Sequence, residues 1–405
     1  MRQPIDKPSP SASGNAPPLL QSGLSARLDW LSLLRGICSL WIVYFHTYTP
    51  YLERPFPKTN REFFATLHAN YAEMELPWFA AGAGVAHDVL AAMSLHAVGI
   101  FILLSGFGIT RSLLRSGRAD TVDWRGWLVS RFWRLYPFLW LAHLVFLVAP
   151  FVWQPEPIDW RFALSLTGVR AYPMELLLFY ANPAWWFFWL IVQLYLVFPL
   201  LFTLYRRCGV ATLLALTIGA TLVMRYVILF VWQDWRGMII GGFFVARLAE
   251  FALGMALAEL WRRDPERFTA RLTGWRPLLA GLIVYPLGVL CYYSLETYLI
   301  VDLTTTAGLF LILAPLSRQL AKWRPLHSAL ALAGSVSLST FLLHQPWTIS
   351  AGIALRGQPW WVFGLACAAL LPLMVAIAYC CEHGLRWLLA RLRRTPSAGA
   401  ALRGL

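Results

Sequence analysis

The chain has 405 residues, 59% of them hydrophobic and only 13% charged. That leaves too little polar surface to cover a soluble domain, so the composition excludes an ordinary water-soluble protein. A net charge of +14 would suit nucleic acid if the basic residues clustered; they are instead spread over short loops between apolar runs, which excludes that partner.

Residues 1–24 include the Pro/Ser-rich stretch PSPSASGNAPP and read as a disordered cytoplasmic tail. The first apolar run begins too late, and lacks the small-residue cleavage site, for a secretory signal. Crossing a bilayer takes about 20 mostly apolar residues. Such runs occur near 28–50, 88–110, 135–153, 185–205, 209–232, 238–261, 277–299, 303–321, 328–349 and 360–389. They predict an all-α polytopic integral membrane protein of about ten transmembrane helices, with a membrane domain over 25–394 and a short cytoplasmic tail over 395–405. Of the 34 Lys and Arg residues, 24 fall in one set of alternate loops and both tails, and 7 in the other set. Basic loops stay in the cytoplasm, so both termini are predicted there.

Trp153, Trp185, Trp186, Trp232, Trp235, Trp360 and Trp361 fall near outer boundaries, and Trp261, Trp275, Trp323 and Trp387 near inner ones, as interfacial aromatics do. Two external segments, 51–87 and 154–184, exceed ordinary turns, and a simple anchor has no use for them. The six cysteines show no metal-ligand spacing and read as small apolar core residues.

Ionisable groups inside a bilayer are costly, which makes each a functional candidate. The first run, LDWLSLLRGICSLWIVYFHTYTP, carries Arg35 and His46 eleven positions apart. At 100° per residue they lie about 20° apart around a helix and about 16 Å apart along it. Ser32, Ser39 and Thr49 share that face. Arg35 falls in the cytoplasmic half, deeper than a snorkelling arginine needs, and His46 near the outer surface. His96 and His344 reach the outer half of their own spans, and His143 lies near mid-span. For His96 and His143 the plain alternative is a satisfied core histidine; for His344 the sequence His-Gln-Pro adds polar groups and a kink. Glu250 and Arg247 share a face and read as a pair. Counting only Glu250 against Arg35, Arg225 and Arg247 leaves a positive excess that suits an anionic ligand. Arg131 and Arg134 share a face before Tyr136-Pro137 at the cytoplasmic entry, where two forked guanidiniums suit phosphate.

Taken together and in order, these residues resemble the acyltransferase-3 family of membrane O-acyltransferases, over about 28–386. The resemblance rests on Arg35-x10-His46, on FILLSGFGIT in the second run, and on Arg131-x-x-Arg134 before Tyr-Pro. Trp189, Gln193, Tyr195 and Pro199, then RLAEFALGMALA around Glu250, then SLSTFLLHQP ending at Pro346, complete it. Two positions depart from the family pattern. Gln193 stands where many members have Glu, so it receives no acid–base role, and Glu382-His383-Gly384 stands where a Glu-Arg-Pro-like motif is expected. The absence of a hydrolase-like domain after residue 394 suggests the membrane-only subgroup.

The resemblance implies transfer of an acyl group, most often acetyl, from cytoplasmic acyl-CoA to a hydroxyl of an extracytoplasmic carbohydrate or glycolipid. No metal is implied. The expected partners are membrane lipids, acyl-CoA and the acceptor, and the expected location is the inner membrane if the source is bacterial. Arg131 and Arg134 are assigned to the donor, and Arg35 to donor binding or helix packing. His46 is expected to take the acceptor's proton, with His344 in reserve for that role or for binding the acceptor. The competing reading is a carrier or flippase for a lipid-linked sugar. Such proteins often carry inverted repeats, and no repeat is visible here.

Overall fold

The computed structural model describes residues 28–53, 63–72, 78–117, 121–148, 158–170, 180–233 and 242–394. Both predicted tails, 1–24 and 395–405, lie outside these residues, as do parts of the two segments predicted to be external, 51–87 and 154–184. Every regular element among the described residues is helical. This is what a bilayer requires, because it offers no partner to an unpaired backbone N–H or C=O.

In chain order the α-helices are α1 (Asp29–Tyr51), α2 (Phe63–Ala72), α3 (Trp78–Leu95), α4 (Ala97–Arg115), α5 (Trp124–Val148), α6 (Trp160–Ser165) and α7 (Trp186–Tyr226). Then come α8 (Leu248–Arg263), α9 (Pro265–Leu272), α10 (Trp275–Leu290), α11 (Val301–Leu320), α12 (Arg324–Ser335), α13 (Ser337–Ala354) and α14 (Trp360–Arg394).

Among the described residues, five helices are long and apolar enough to cross a membrane, or six if the bent pair α12 and α13 counts as one span. The expectation of about ten is therefore met only in part by this criterion. The helices α1 and α5 are long enough, at 23 and 25 residues, but the polar groups they carry lower their mean hydropathy. Within α7, Gly209 adopts φ +83°, ψ 174° and interrupts 41 residues into two stretches. This is the junction between the predicted runs 185–205 and 209–232. Unbroken, those 41 residues would measure about 60 Å, twice the hydrocarbon thickness. Of the predicted run 238–261, residues 238–241 lie outside the described residues, and in the rest a 3-10 turn over Phe244–Arg247 precedes α8, which has 16 residues. The predicted run 328–349 is not one helix: α12 and α13 meet at Val336 with a bend of 84°.

Large apolar side chains face outward in mid-helix, among them Leu200 (68% exposed), Val223 (65%), Ile283 (62%) and Leu365 (66%). Only an apolar medium covers such a surface without penalty. The two largest packed clusters of the interior lie one around α5, α7 and α8 and one around α1, α4 and α11.

Close backbone contacts fix α1 against the bent pair. A Cβ on Gly334 of α12 would overlap the Ser32 carbonyl oxygen of α1 and lie 3.1 Å from Gly36 N. Higher up, a Cβ on Gly352 of α13 would overlap the Thr47 carbonyl oxygen and lie 3.0 Å from Pro50 Cβ. Glycine at these positions lets α12 and α13 touch the α1 backbone, one near Arg35 and the other near His46.

Candidate functional site

A cavity of about 300 Å³ opens between α1, α4, α5, α7, α12, α13 and α14. Its apolar wall includes Phe101, Leu104, Leu135, Phe187, Ile191 and Phe341, and its polar wall includes Arg35, Arg131, Arg134, Tyr195, Glu382 and Arg386. The three arginines named from sequence as candidates for the donor therefore line one cavity, although they come from α1 and α5. Arg134 and Arg386 are exposed, whereas Arg35 and Arg131 are half-buried. Arg131 lies over the Trp127 ring, 5.1 Å from its centroid, which fixes its guanidinium at the wall.

The charge balance of the cavity is positive. Glu382 accepts from Ser339 Oγ at 2.8 Å and pairs with Arg386 one helical turn on. No carboxylate among the described residues pairs with Arg35, Arg131 or Arg134. Arg386 thus joins Glu382 at the cavity wall as an ion pair that the departing Glu382-His383-Gly384 stretch did not announce. Its i, i+4 spacing from Glu382 is a signal readable in sequence, hidden among the basic residues that set topology.

His46 and His344 do not line this cavity, but they meet beside its Phe341 wall. Their ring centroids are 5.1 Å apart. The His344 ring lies 5.7 Å from that of Phe341, which is part of the cavity wall. His344 is fully buried, and His46 is half-buried. Because α1 is continuous from Arg35 to His46, the path from the arginines to the histidine pair is about 16 Å.

The second predicted external segment is described over 158–170 and from 180 onward, and its end just before α7 bonds to α13 at the same level. Pro346 has no N–H, so the carbonyl of Leu342, four residues earlier, lacks its helical partner. Trp185 Nε1 donates to that carbonyl at 2.9 Å and Asn182 Nδ2 at 3.2 Å. The Ala184 N–H donates to Gln345 Oε1, and Gln345 Nε2 lies 3.4 Å from His46 Nδ1. The kink at His-Gln-Pro thereby becomes the joint between the outer segment and the histidine pair. At the start of that segment Asp159 caps α6 by accepting from Arg161 N–H at 2.8 Å. The Arg161 side chain holds the Asp159 carboxyl below its usual range.

The remaining candidates have structural partners. His143 donates from Nδ1 to the Leu139 carbonyl at 2.8 Å, accepts from Ser165 Oγ at 2.7 Å and stacks on Trp185 at 3.9 Å. His96 bonds Tyr285 at 2.8 Å and Tyr292 at 3.0 Å. Arg247 grips Glu250 through Nε at 2.9 and 3.0 Å, as their spacing suggested. Asp302 of α11 pairs with Arg225 and lies 3.6 Å from Arg247. This corrects the count of buried charge: Asp302 balances Arg225, and Arg35 is left without a carboxylate partner among the described residues. Gln193 donates to the Gly242 carbonyl at 3.0 Å, a link that joins α7 to the segment before α8.

With this geometry in hand, the chain can be set beside known proteins. The family model described as an acyltransferase domain, that of the acyltransferase-3 family, matches residues 28–379. No curated protein and no solved structure matches significantly. The matched region holds Arg35, Arg131, Arg134, His46 and His344 and covers most of the chain, so this protein belongs to the acyltransferase-3 family of membrane acyltransferases.

Proposed function

We propose that the protein transfers an acyl group, acetyl in the simplest case, from cytoplasmic acyl-CoA to a hydroxyl of an extracytoplasmic carbohydrate or glycolipid. The observation that carries this reading is the juxtaposition of an arginine-lined cavity with a histidine pair just behind its Phe341 wall. The phosphates of the donor pair with Arg131, Arg134 and Arg386 at the mouth, where forked guanidiniums match phosphate oxygens. Arg35 meets the donor further in. The pantetheine arm, about 15–20 Å long when extended, spans the path along α1, and the thioester arrives beside His46 and His344. A cavity of about 300 Å³ is at the lower end for small-molecule sites. It suits the acyl-pantetheine part, with the nucleotide left at the mouth.

The acceptor's hydroxyl oxygen attacks the thioester carbonyl carbon. A C–O bond forms, the C–S bond breaks, and the hydroxyl proton passes through the histidine pair to the departing CoA thiolate. The residues just before α7, docked on α13 through Asn182, Ala184 and Trp185, supply a wall for the acceptor. In this proposal the chain crosses the inner membrane about ten times, with both termini in the cytoplasm.

The test uses purified protein in liposomes, acetyl-CoA labelled in the acetyl group, and as acceptor the membranes of cells lacking the gene. Label should enter the glycan fraction only with active protein. Mass spectrometry of surface glycans with and without the gene should then show an acyl-sized mass difference. Absence of both signals overturns the proposal. Sugar movement that needs no acyl-CoA would instead favour a carrier, a class that also uses broken helices like α12–α13.

A further inference from the structure

The two histidines differ in what surrounds their ring nitrogens. His344 Nδ1 lies 2.8 Å from the Phe341 carbonyl oxygen and 3.2 Å from that of Thr340. A carbonyl only accepts, so Nδ1 carries the proton of the neutral ring and Nε2 carries the lone pair. That Nε2 is buried and has no hydrogen-bond partner among the described residues. Leaving a buried acceptor unpaired costs about 1–3 kcal/mol, so such an atom calls for a reason.

His46 has the opposite arrangement. The Ala184 N–H donates to Gln345 Oε1, which fixes the orientation of the amide, because a flipped amide would point its NH2 at another donor. The Gln345 NH2 therefore faces His46 Nδ1, at 3.4 Å. An amide nitrogen only donates, so His46 Nδ1 is the acceptor and the proton of the neutral ring sits on Nε2. The pair thus offers a lone pair on one ring and an N–H on the other, with centroids 5.1 Å apart.

We infer that His344, not His46, is the base of the acyl transfer, that His46 donates its Nε2–H to the developing oxyanion, and that Gln345 is the positioning residue that fixes this division. The inference rests on the acyl-transfer reading above. The reaction needs both groups at once: something to take the hydroxyl proton and something to hold the charge that grows on the carbonyl oxygen. As the acceptor oxygen bonds to the carbonyl carbon, its proton moves to His344 Nε2 and the C=O electrons move onto oxygen, beside His46 Nε2–H. When the C=O reforms, the C–S bond breaks and His344 returns the proton to the CoA thiolate, leaving a free thiol and an ester. This reverses the expectation from sequence, where depth and the Arg35-x10-His46 spacing favoured His46 as the base. Spacing carries no information about tautomers; the partners of each ring do.

The test compares turnover of acetyl-CoA, followed as label transferred to membranes lacking the protein and as free thiol released. A glutamine amide can donate a hydrogen bond but cannot act as the base. His46→Gln should therefore stay within about tenfold of wild type, while His46→Ala loses about 10²–10³, the usual effect of removing one oxyanion donor. His344→Gln and His344→Ala should both lose about 10²–10⁴. The donor KM should change little in all four. Gln345→Leu should lower kcat about tenfold, the loss of one hydrogen bond, with KM unchanged. In the His46→Gln background the same change should cost less than about twofold, since an amide at position 46 has no tautomer to fix.

The assignment is overturned if His344→Gln keeps near-normal turnover, if His46→Gln is as low as His46→Ala, or if Gln345→Leu costs the same in both backgrounds. Nitrogen NMR of histidine-labelled wild-type protein needs no variant: it should show the proton on Nε2 of His46 and on Nδ1 of His344, and the reverse pattern refutes the assignment. A wild type with no transfer at all, but with the stated tautomers, would refute the acyl-transfer reading instead.

Discussion

Replacing Gly334 by alanine tests whether the closeness of α12 to α1 serves the cavity. The added Cβ would overlap the Ser32 carbonyl oxygen and lie 3.1 Å from both Gly36 N and the Ser32 carbonyl carbon. Backbone cannot rotate away as a side chain can, so α12 must retreat by about 1 Å to restore ordinary contact. Gly334 and Arg35 both line the cavity, so the retreat moves one wall away from the donor. Overpacking of this kind costs about 1–3 kcal/mol in stability. A misplacement of about 1 Å can reduce rate by about 10²-fold. Gly108→Ala is the matched control: Gly108 lines the same cavity, but a Cβ there meets nothing within 4 Å. The assay measures thermal stability in detergent together with kcat and donor KM. Gly334→Ala should lower both stability and kcat/KM, while Gly108→Ala should keep wild-type stability. A Gly334→Ala protein with wild-type stability and kinetics would refute the claim that this contact sets the donor cavity.

Arg131→Gln with Arg134→Gln should raise the donor KM by at least about tenfold, as expected when charge-assisted contacts are lost, without loss of membrane insertion; an unchanged KM would make the pair a topology signal only. A reporter fused after Arg394 should read cytoplasmic and one inserted in 51–87 should read exterior, and the opposite result at either site rejects the orientation. Glu250→Gln leaves Arg247 without its bidentate partner in the interior. It should destabilise by about 3–5 kcal/mol, measured as a fall in thermal stability, while the donor KM of the surviving protein stays unchanged.

Much of this was legible in the chain because apolar runs and basic loops obey one-dimensional rules: a bilayer demands helices of a minimum length and holds basic loops on one side. The helical class, the polar face of α1, and Arg35, Arg131, Arg134, His46 and His344 as candidates could all be read this way. So could the pairing of Arg247 with Glu250, which lie three residues apart on one helix. What the sequence could not supply were relations between helices far apart in the chain. Asp302 neutralises Arg225 from another helix, which no local count reveals. Arg386 joins Arg35, Arg131 and Arg134 at one cavity only because α14 forms part of its wall. The bend at Val336 was hidden within an apolar run that satisfies the length rule for a single span. Above all, tertiary structure decided what each histidine can do. Identity and depth mark both as proton carriers, but which ring nitrogen holds the proton depends on a carbonyl one turn away for His344 and, for His46, on an amide brought from 299 residues along the chain.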